Sequence, residues 1–142
     1  MDSAREPLRL LFVCIENSNR SQMAEAFARL HGRELGLAVE AHSAGSRPSG
    51  VVNPKAIASM AELGYDLAAH RSKALKEVEA LPYDAAVTMG CGDACPLVKA
   101  RRRFDWQIPD PKHLEPADFR KVRDLVSAQV RALLEELAAR RS

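Results

Sequence analysis

A short apolar run near the start of the chain constrains the fold more than any other feature. Residues Leu8–Cys14 include only one polar side chain, that of Arg9. Such a run is typical of a strand that is buried on both faces of a parallel sheet. Loop-forming residues 15–19 follow, and then residues 20–35 place apolar side chains at helical spacing until Gly36. The sequence therefore predicts a central strand, a tight loop and a helix.

The rest of the chain repeats this alternation of strand and helix. Strands are predicted at 37–45, 83–89 and 106–108, and helices at 54–63, 72–78 and 116–140. This order favours an α/β fold with three α/β/α layers around a central, mainly parallel four-stranded sheet, in one domain over residues 1–142. The basic run Lys99 and 101–103 is interpreted as a solvated loop, and Trp106 as a core residue under the loop that holds Asp110.

Composition excludes several classes of protein. No apolar stretch approaches the ~20 residues that cross a bilayer, and no secretory leader is recognisable, so we expect a cytoplasmic protein without membrane contact. The formal net charge of +2 gives no general attraction to nucleic acid. The 3 cysteines are too few for a disulfide framework and suit a reducing compartment.

The segment between the first strand and the first helix has the composition of an anion site. Cys14 is followed by five residues, Arg20 and Ser21, at the carboxyl end of a strand. Backbone N–H groups of such a loop and the dipole of the next helix can hold a tetrahedral oxyanion and stabilise a thiolate. The candidate oxyanion-binding residues are Glu16, Asn17, Ser18, Asn19 and Arg20. A buried structural thiol is the alternative for Cys14, and the absence of a Walker pattern disfavours nucleotide hydrolysis.

Residues 13–25, VCIENSNRSQMAE, resemble the nucleophile loop of the low-molecular-weight protein tyrosine phosphatases and, more closely, of the arsenate reductases built on the same fold. Segments 43–45, 87–89, 95–96 and 110–111 continue the similarity in the family's order. The resemblance implies roles for five residues. These are the nucleophile Cys14, the oxyanion ligand Arg20, the thiolate-supporting hydroxyl of Ser21, the loop-shaping Asn17 and the general acid Asp110.

Asp110 also makes chemical sense without the family. Attack of a thiolate on phosphate or arsenate expels an oxygen that needs a proton, and a carboxylic acid on a proline-flanked loop can supply it. An ordinary Asp-Pro turn is the alternative.

Cys91 and Cys95 distinguish reduction from phosphate hydrolysis. A metal site is disfavoured because no second Cys/His pair has zinc spacing, so no metal is expected. In the reductase interpretation Cys91 attacks the Cys14 adduct, and Cys95 then takes over the disulfide for an external reductant such as thioredoxin. Only three residues separate the two cysteines, whereas six separate them in the thioredoxin-coupled family members. Family members with a similarly short segment look to be coupled to glutathione or mycothiol, so the resemblance leaves the electron donor open. A purely structural Cys95 stays open.

Two further departures from the family pattern matter. Some reductases hold potassium beside the loop with residues that match Asn17, Glu25 and Ser43, but Lys73 stands where an acidic residue is expected, and its ammonium could replace the cation. Lys112 and His113 follow the Asp-Pro where phosphatases favour aromatic residues, and Glu16 adds negative charge at the mouth, so large phosphopeptides are disfavoured.

The leading interpretation is a monomeric arsenate reductase that uses Cys14 and an external thiol reductant, which is thioredoxin, glutathione or mycothiol. The alternative is a phosphatase that acts through a phosphocysteine and needs neither Cys91 nor Cys95. A non-enzymatic redox sensor or anion-binding module is the third interpretation.

Overall fold

A computed structural model describes residues 6–90 and 98–141. The described strands are β1 (Leu8–Cys14), β2 (Val39–Gly45), β3 (Tyr83–Thr88) and β4 (Ala100–Asp105). They form one parallel sheet in the order β2-β1-β3-β4. The described α-helices are α1 (Arg20–Glu34), α2 (Pro54–Ala61) and α3 (Pro116–Arg141), with short 3-10 turns at Leu67–Ala69 and Leu75–Glu77.

The apolar run forms β1, which lies between β2 and β3 as its composition predicts. Side chains of a strand alternate between the faces of the sheet. Leu10 and Phe12 enter the larger core, while Leu11 and Val13 enter a smaller core on the opposite face, and none of the four is exposed. Burial of each such side chain contributes roughly 1.5–3 kcal/mol, so this strand has a strong preference for the centre of the sheet.

Helical structure covers both faces of the sheet, which confirms the three-layer α/β/α prediction. On one face α1, α2 and α3 contribute buried side chains such as Phe27, Met60 and Leu134. On the other face the turn around Leu75 packs over β1 and β3 together with Val78. This second layer is shorter than the predicted 72–78 helix, because only Leu75–Glu77 forms a 3-10 turn.

The predicted strand at 106–108 is wrong, and β4 instead occupies Ala100–Asp105, including the run predicted as a solvated loop. Within this edge strand Arg102 and Phe104 are partly covered, whereas Arg101 and Arg103 are exposed. The Arg102 guanidinium lies 5.0 Å from the centroid of the Phe104 ring. Charged side chains are common on edge strands because they discourage pairing with another chain. Because most residues of this strand are charged, the alternation of partly covered and exposed positions could not be recognised from the sequence.

Trp106 directly follows β4 and packs against the larger core, with its ring centroid 6.2 Å from that of Phe12. The side chain is only partly buried, so it borders the core rather than filling it, and its predicted place under the Asp110 loop stays a prediction.

The carboxyl ends of the parallel strands meet at one edge of the sheet. Cys14, the last residue of β1, is in register with Gly45, the last residue of β2. Polar loops that follow these strands consequently converge there. Across the described residues, no helix combines the length and the apolar character needed to cross a membrane.

Candidate active site

The loop between β1 and α1 has a conformation that two residues make possible. Asn17 adopts a positive φ of 52°, which asparagine tolerates better than most residues. Gly45 lies against the loop so closely that a Cβ there would be 2.5 Å from the carbonyl oxygen of Ile15 and 3.0 Å from the backbone nitrogen of Asn17. Any side chain at position 45 would therefore displace the loop.

Backbone donors from residues 46–53 bind the outer side of this loop. The carbonyls of Cys14, Ile15, Glu16 and Ser18 accept hydrogen bonds at 2.8–3.2 Å from N–H groups of that segment. A trans peptide directs the N–H of the next residue away from the carbonyl. The N–H groups of the residues that follow these carbonyls therefore face the opposite side, where they are available to an oxyanion.

The nucleophile candidate Cys14 is 3% exposed at the base of the loop. Its Sγ lies 2.8 Å from the Oγ of Ser21 in the first turn of α1. The same Oγ accepts a hydrogen bond of 2.7 Å from Nδ2 of Asn17. Because Ser21 accepts from Asn17, its own O–H is available to donate to the sulfur.

Arg20 is held in place by the ends of two neighbouring segments. Its Nη1 donates to the carbonyls of Met89, at 2.7 Å, and Ile108, at 3.1 Å. Gly90 approaches so closely that a Cβ there would lie 2.9 Å from the same nitrogen. Both backbone bonds fix the plane of the guanidinium, which can then bind oxyanion oxygens with its remaining N–H groups.

The structure brings Asp110, which lies far from Arg20 in the sequence, to the same pocket. Its Oδ2 lies 3.9 Å from Nη2 of Arg20, and its side chain is 55% exposed. The pocket is about 60 Å³ in volume. It is lined by residues from the nucleophile loop and the Asp110 loop: Cys14, Ile15, Glu16, Ser18, Asn19, Arg20 and Asp110. The predicted roles of these residues stay predictions.

Asn17 is absent from the lining of this pocket, because its side chain faces the interior behind the loop. Its Oδ1 accepts from the backbone N–H of Lys73 at 3.0 Å and from Nε2 of Gln22 at 2.9 Å. The neighbouring Asn19 lines the pocket, and its Oδ1 is buried without a hydrogen-bond partner in the described part of the chain. A buried unpaired acceptor is costly, so the surroundings stabilise the Asn19 side chain less than that of Asn17.

Sequence reasoning missed a polar chain that runs from Asn17 into the protein. Gln22 accepts a hydrogen bond of 3.0 Å from Nδ1 of His70, whose Nε2 lies 2.6 Å from the hydroxyl of Tyr65. Burial lowers the pKa of His70 from its usual 6.5, which favours the neutral ring. Gln22 and His70 lie 48 residues apart along the chain, so no local sequence pattern could have revealed their contact.

A second polar group surrounds the buried carboxylate of Glu25. Its Oε1 accepts from Oγ of Ser43 at 2.5 Å and lies 3.8 Å from Nζ of Lys73. Its Oε2 lies 2.6 Å from Nη2 of Arg29. The predicted proximity of Glu25, Ser43 and Lys73 is thus present in the structure.

An ion pair at the mouth of the pocket was also missed. Nζ of Lys112 lies 3.0 Å from Oε2 of Glu16, and both side chains are partly exposed. The pair joins the nucleophile loop to the loop that carries Asp110. It also offsets the negative charge that the sequence placed at the mouth.

Cys91 and Cys95 lie outside the described residues. Residues 6–90 and 98–141 contain no group of three or more His, Cys, Asp or Glu side chains placed to hold a metal ion.

Comparisons with known proteins extend over nearly the whole chain. The family described as low molecular weight phosphotyrosine protein phosphatase matches residues 9–142. The glutaredoxin arsenate reductase of Synechocystis sp. is 35% identical over 133 residues, which cover 92% of this chain and 98% of that protein. The solved structure of an arsenate reductase in the phosphate binding state has a TM-score of 0.81 and 36% identity, covering 91% of this chain and 98% of that one. The thioredoxin-dependent arsenate reductase of Corynebacterium glutamicum has a TM-score of 0.75 and 27% identity, covering 96% of this chain and 64% of that one.

Proposed function

Because the chain belongs to the low-molecular-weight phosphotyrosine protein phosphatase family, we propose that it is an arsenate reductase that converts arsenate to arsenite with electrons from thiols. One observation carries the proposal. Cys14, Arg20 and Asp110 together line one small pocket. Proteins similar to this chain include arsenate reductases.

In the first step the oxyanion binds the nucleophile loop, and the Cys14 thiolate attacks arsenic. A sulfur–arsenic bond forms, and one arsenate oxygen leaves as water after Asp110 donates a proton to it. Ser21 stabilises the thiolate before attack. Arg20 holds two oxyanion oxygens and follows them as charge redistributes in the transition state.

In the second step the thiolate of Cys91 attacks the sulfur of Cys14. A disulfide forms, the sulfur–arsenic bond breaks with its electron pair remaining on arsenic, and arsenite leaves with two electrons gained. The chain places Cys91 directly after Gly90, which packs against Arg20. That adjacency supports Cys91 as the resolving thiol. Cys95, four residues further along the chain, is proposed to take over the disulfide.

An external thiol system then returns two electrons to the enzyme. Thioredoxin, glutathione with glutaredoxin, and mycothiol are the candidates, and the names of two similar proteins include the first two systems. The reaction needs reduced cysteines, which supports a cytoplasmic enzyme. We also propose a monomer as the active form.

Phosphatase activity through a phosphocysteine is the second candidate, and the family description favours it. The same loop can bind either tetrahedral oxyanion. The Glu16–Lys112 ion pair places two charged side chains beside the pocket, and residues 109–112 around Asp110 include no aromatic side chain. Both features favour a small inorganic oxyanion over an aryl phosphate.

The test compares kcat/KM for arsenate reduction, with each thiol donor supplied, against kcat/KM for hydrolysis of p-nitrophenyl phosphate. We expect arsenate reduction to be the more efficient reaction, and Cys91→Ser to abolish it while leaving phosphate ester hydrolysis intact. Cys14→Ser should abolish both. Arsenate reduction that persists unchanged in both Cys91→Ser and Cys95→Ser would overturn the proposed relay, and the absence of arsenate reduction with every donor would overturn the proposed function.

A further inference from the structure

The group of buried charges behind the nucleophile loop is the feature that the proposed reaction does not use. The side chains of Glu25 and Lys73 are only 6% and 12% exposed, and their charged atoms lie 3.8 Å apart. A buried carboxylate is costly unless a positive charge and hydrogen bonds compensate it. Ser43 supplies a hydrogen bond to it, and Arg29 supplies a second positive charge at 2.6 Å.

The resemblance to reductases that hold potassium makes it necessary to ask whether these residues fit such an ion. They do not fit. Oδ1 of Asn17 already accepts two hydrogen bonds, and the carbonyl of Arg71 accepts from Nζ of Lys73 at 3.3 Å. Two cationic groups already face the single carboxylate of Glu25, so a further cation would meet net positive charge.

We infer that Lys73 is a positioning residue whose ammonium takes the place of a monovalent cation and keeps the oxyanion loop assembled without one. The inference rests on the proposed function only in taking Cys14 as the nucleophile of that loop. It commits this enzyme to oxyanion binding that is independent of potassium.

Lys73 acts on the loop through two of its own groups. Its ammonium binds beside Glu25, which anchors the side chain in the interior. Its backbone N–H donates to Oδ1 of Asn17. Asn17 in turn donates to Ser21, whose Oγ contacts the sulfur of Cys14. One residue therefore couples the buried carboxylate to the nucleophile.

Burial lowers the pKa of Lys73 below its usual 10.5, and the positive charges of Arg71 and Arg29 act in the same direction, while the carboxylate of Glu25 opposes them.

The test uses the full chain and measures the reactivity of Cys14 alone. Its alkylation by iodoacetamide at pH 7 is followed by peptide mass spectrometry, so that Cys91 and Cys95 do not interfere. Protection of Cys14 by inorganic phosphate then gives an apparent dissociation constant. Each measurement is made in potassium chloride and in choline chloride at equal ionic strength. The variant is Lys73→Met, and the matched control is Lys76→Met at an exposed position three residues away.

We expect the native protein and Lys76→Met to bind phosphate equally well in both salts. Lys73→Met should bind phosphate roughly 10-fold more weakly in choline chloride, as is typical when an outer partner of a binding residue is lost. Potassium should restore most of that loss, because deletion of the ammonium leaves a cavity lined by the oxygens of Glu25 and Arg71. Loss of protection without restoration by potassium would show a merely structural lysine and overturn the inference.

The native protein alone keeps the inference falsifiable if Lys73→Met does not fold. Native phosphate affinity that rises with potassium would overturn the inference. So would a folded Lys73→Met that behaves like the native protein in both salts, although the proposed function would survive that result. Native Cys14 that phosphate does not protect would remove the proposed function and the inference together.

Discussion

The Oγ of Ser21 lies 2.8 Å from the Sγ of Cys14 and accepts a hydrogen bond from Asn17 on its other side. This placement leaves the Ser21 hydroxyl proton available to the sulfur. It makes the first turn of α1 part of the nucleophile's environment, and it links Cys14 to Ser21 and Asn17, which do not line the pocket.

Ser21→Ala should slow both arsenate reduction and alkylation of Cys14. A hydrogen bond to a charged group contributes about 1.5–3 kcal/mol, which corresponds to roughly 10- to 150-fold in rate. Stopped-flow alkylation at pH 6.5 measures the effect. Ser59→Ala is the matched control, because Ser59 is also a buried helical serine but donates to a carbonyl within α2. Equal rates for the two variants would show that Ser21 does not support the thiolate.

Arg20→Lys should weaken oxyanion binding and turnover together. Lysine keeps the charge but lacks the planar fork that donates to two backbone carbonyls and to an oxyanion at once. We expect kcat/KM for arsenate to fall by about 10²–10³-fold. Steady-state kinetics measure the loss, with Arg33→Lys at an exposed position of α1 as control. A loss below threefold would contradict the predicted role of Arg20.

Asp110→Asn should separate protonation of the leaving oxygen from activation of the nucleophile. Loss of a general acid costs about 10²–10⁴-fold in rate, so kcat should fall by that amount. Alkylation of Cys14 should change little, because no leaving oxygen is involved. Asp118→Asn in the first turn of α3 is the control. Unchanged kcat in Asp110→Asn would assign the residue to an ordinary turn.

Stability should decrease as the pH falls below about 6.5 because of His70. Burial lowers the pKa of this histidine in the folded protein below its usual 6.5. The unfolded chain then binds more protons between the two pKa values, so the free energy of unfolding rises with pH through that window and is fully recovered above it. Urea unfolding at pH 5.5 and pH 7.5 measures the difference.

His70→Asn should reduce this pH dependence, and the exposed His113→Asn should retain it. If the two variants keep the same slope as the native protein, the buried neutral state of His70 is not responsible.

The sequence predicted the elements that depend on local pattern. The predicted bounds of β1 agree with the structure, and α1 begins at Arg20 as expected. The signals for these two elements are local, because they consist of a continuous apolar run, helical spacing of apolar residues and a glycine after the helix. The fourth strand was misplaced because its partly covered positions include a charged residue, Arg102, so the alternation with the exposed Arg101 and Arg103 is not visible in the sequence. One side of an edge strand faces solvent instead of another strand, so polar residues are common there and the composition of the strand resembles that of a loop.

The chemistry of the site was predictable to a similar degree. Cys14, Arg20 and Asp110 line one pocket, as expected from a motif and from family order. The chain from Asn17 through Gln22 to His70 was not predictable, because tertiary folding alone brings these polar groups together. The same holds for the ion pair between Glu16 and Lys112, which are 96 residues apart.

A single-turnover experiment tests the central claim most directly. Fully reduced protein is mixed with arsenate and no external thiol, quenched with an alkylating reagent, and analysed for released arsenite and for disulfides by peptide mass spectrometry. The account predicts one arsenite per molecule and a disulfide that joins Cys91 to Cys14 or to Cys95. No arsenite and three alkylated cysteines would contradict an internal thiol relay.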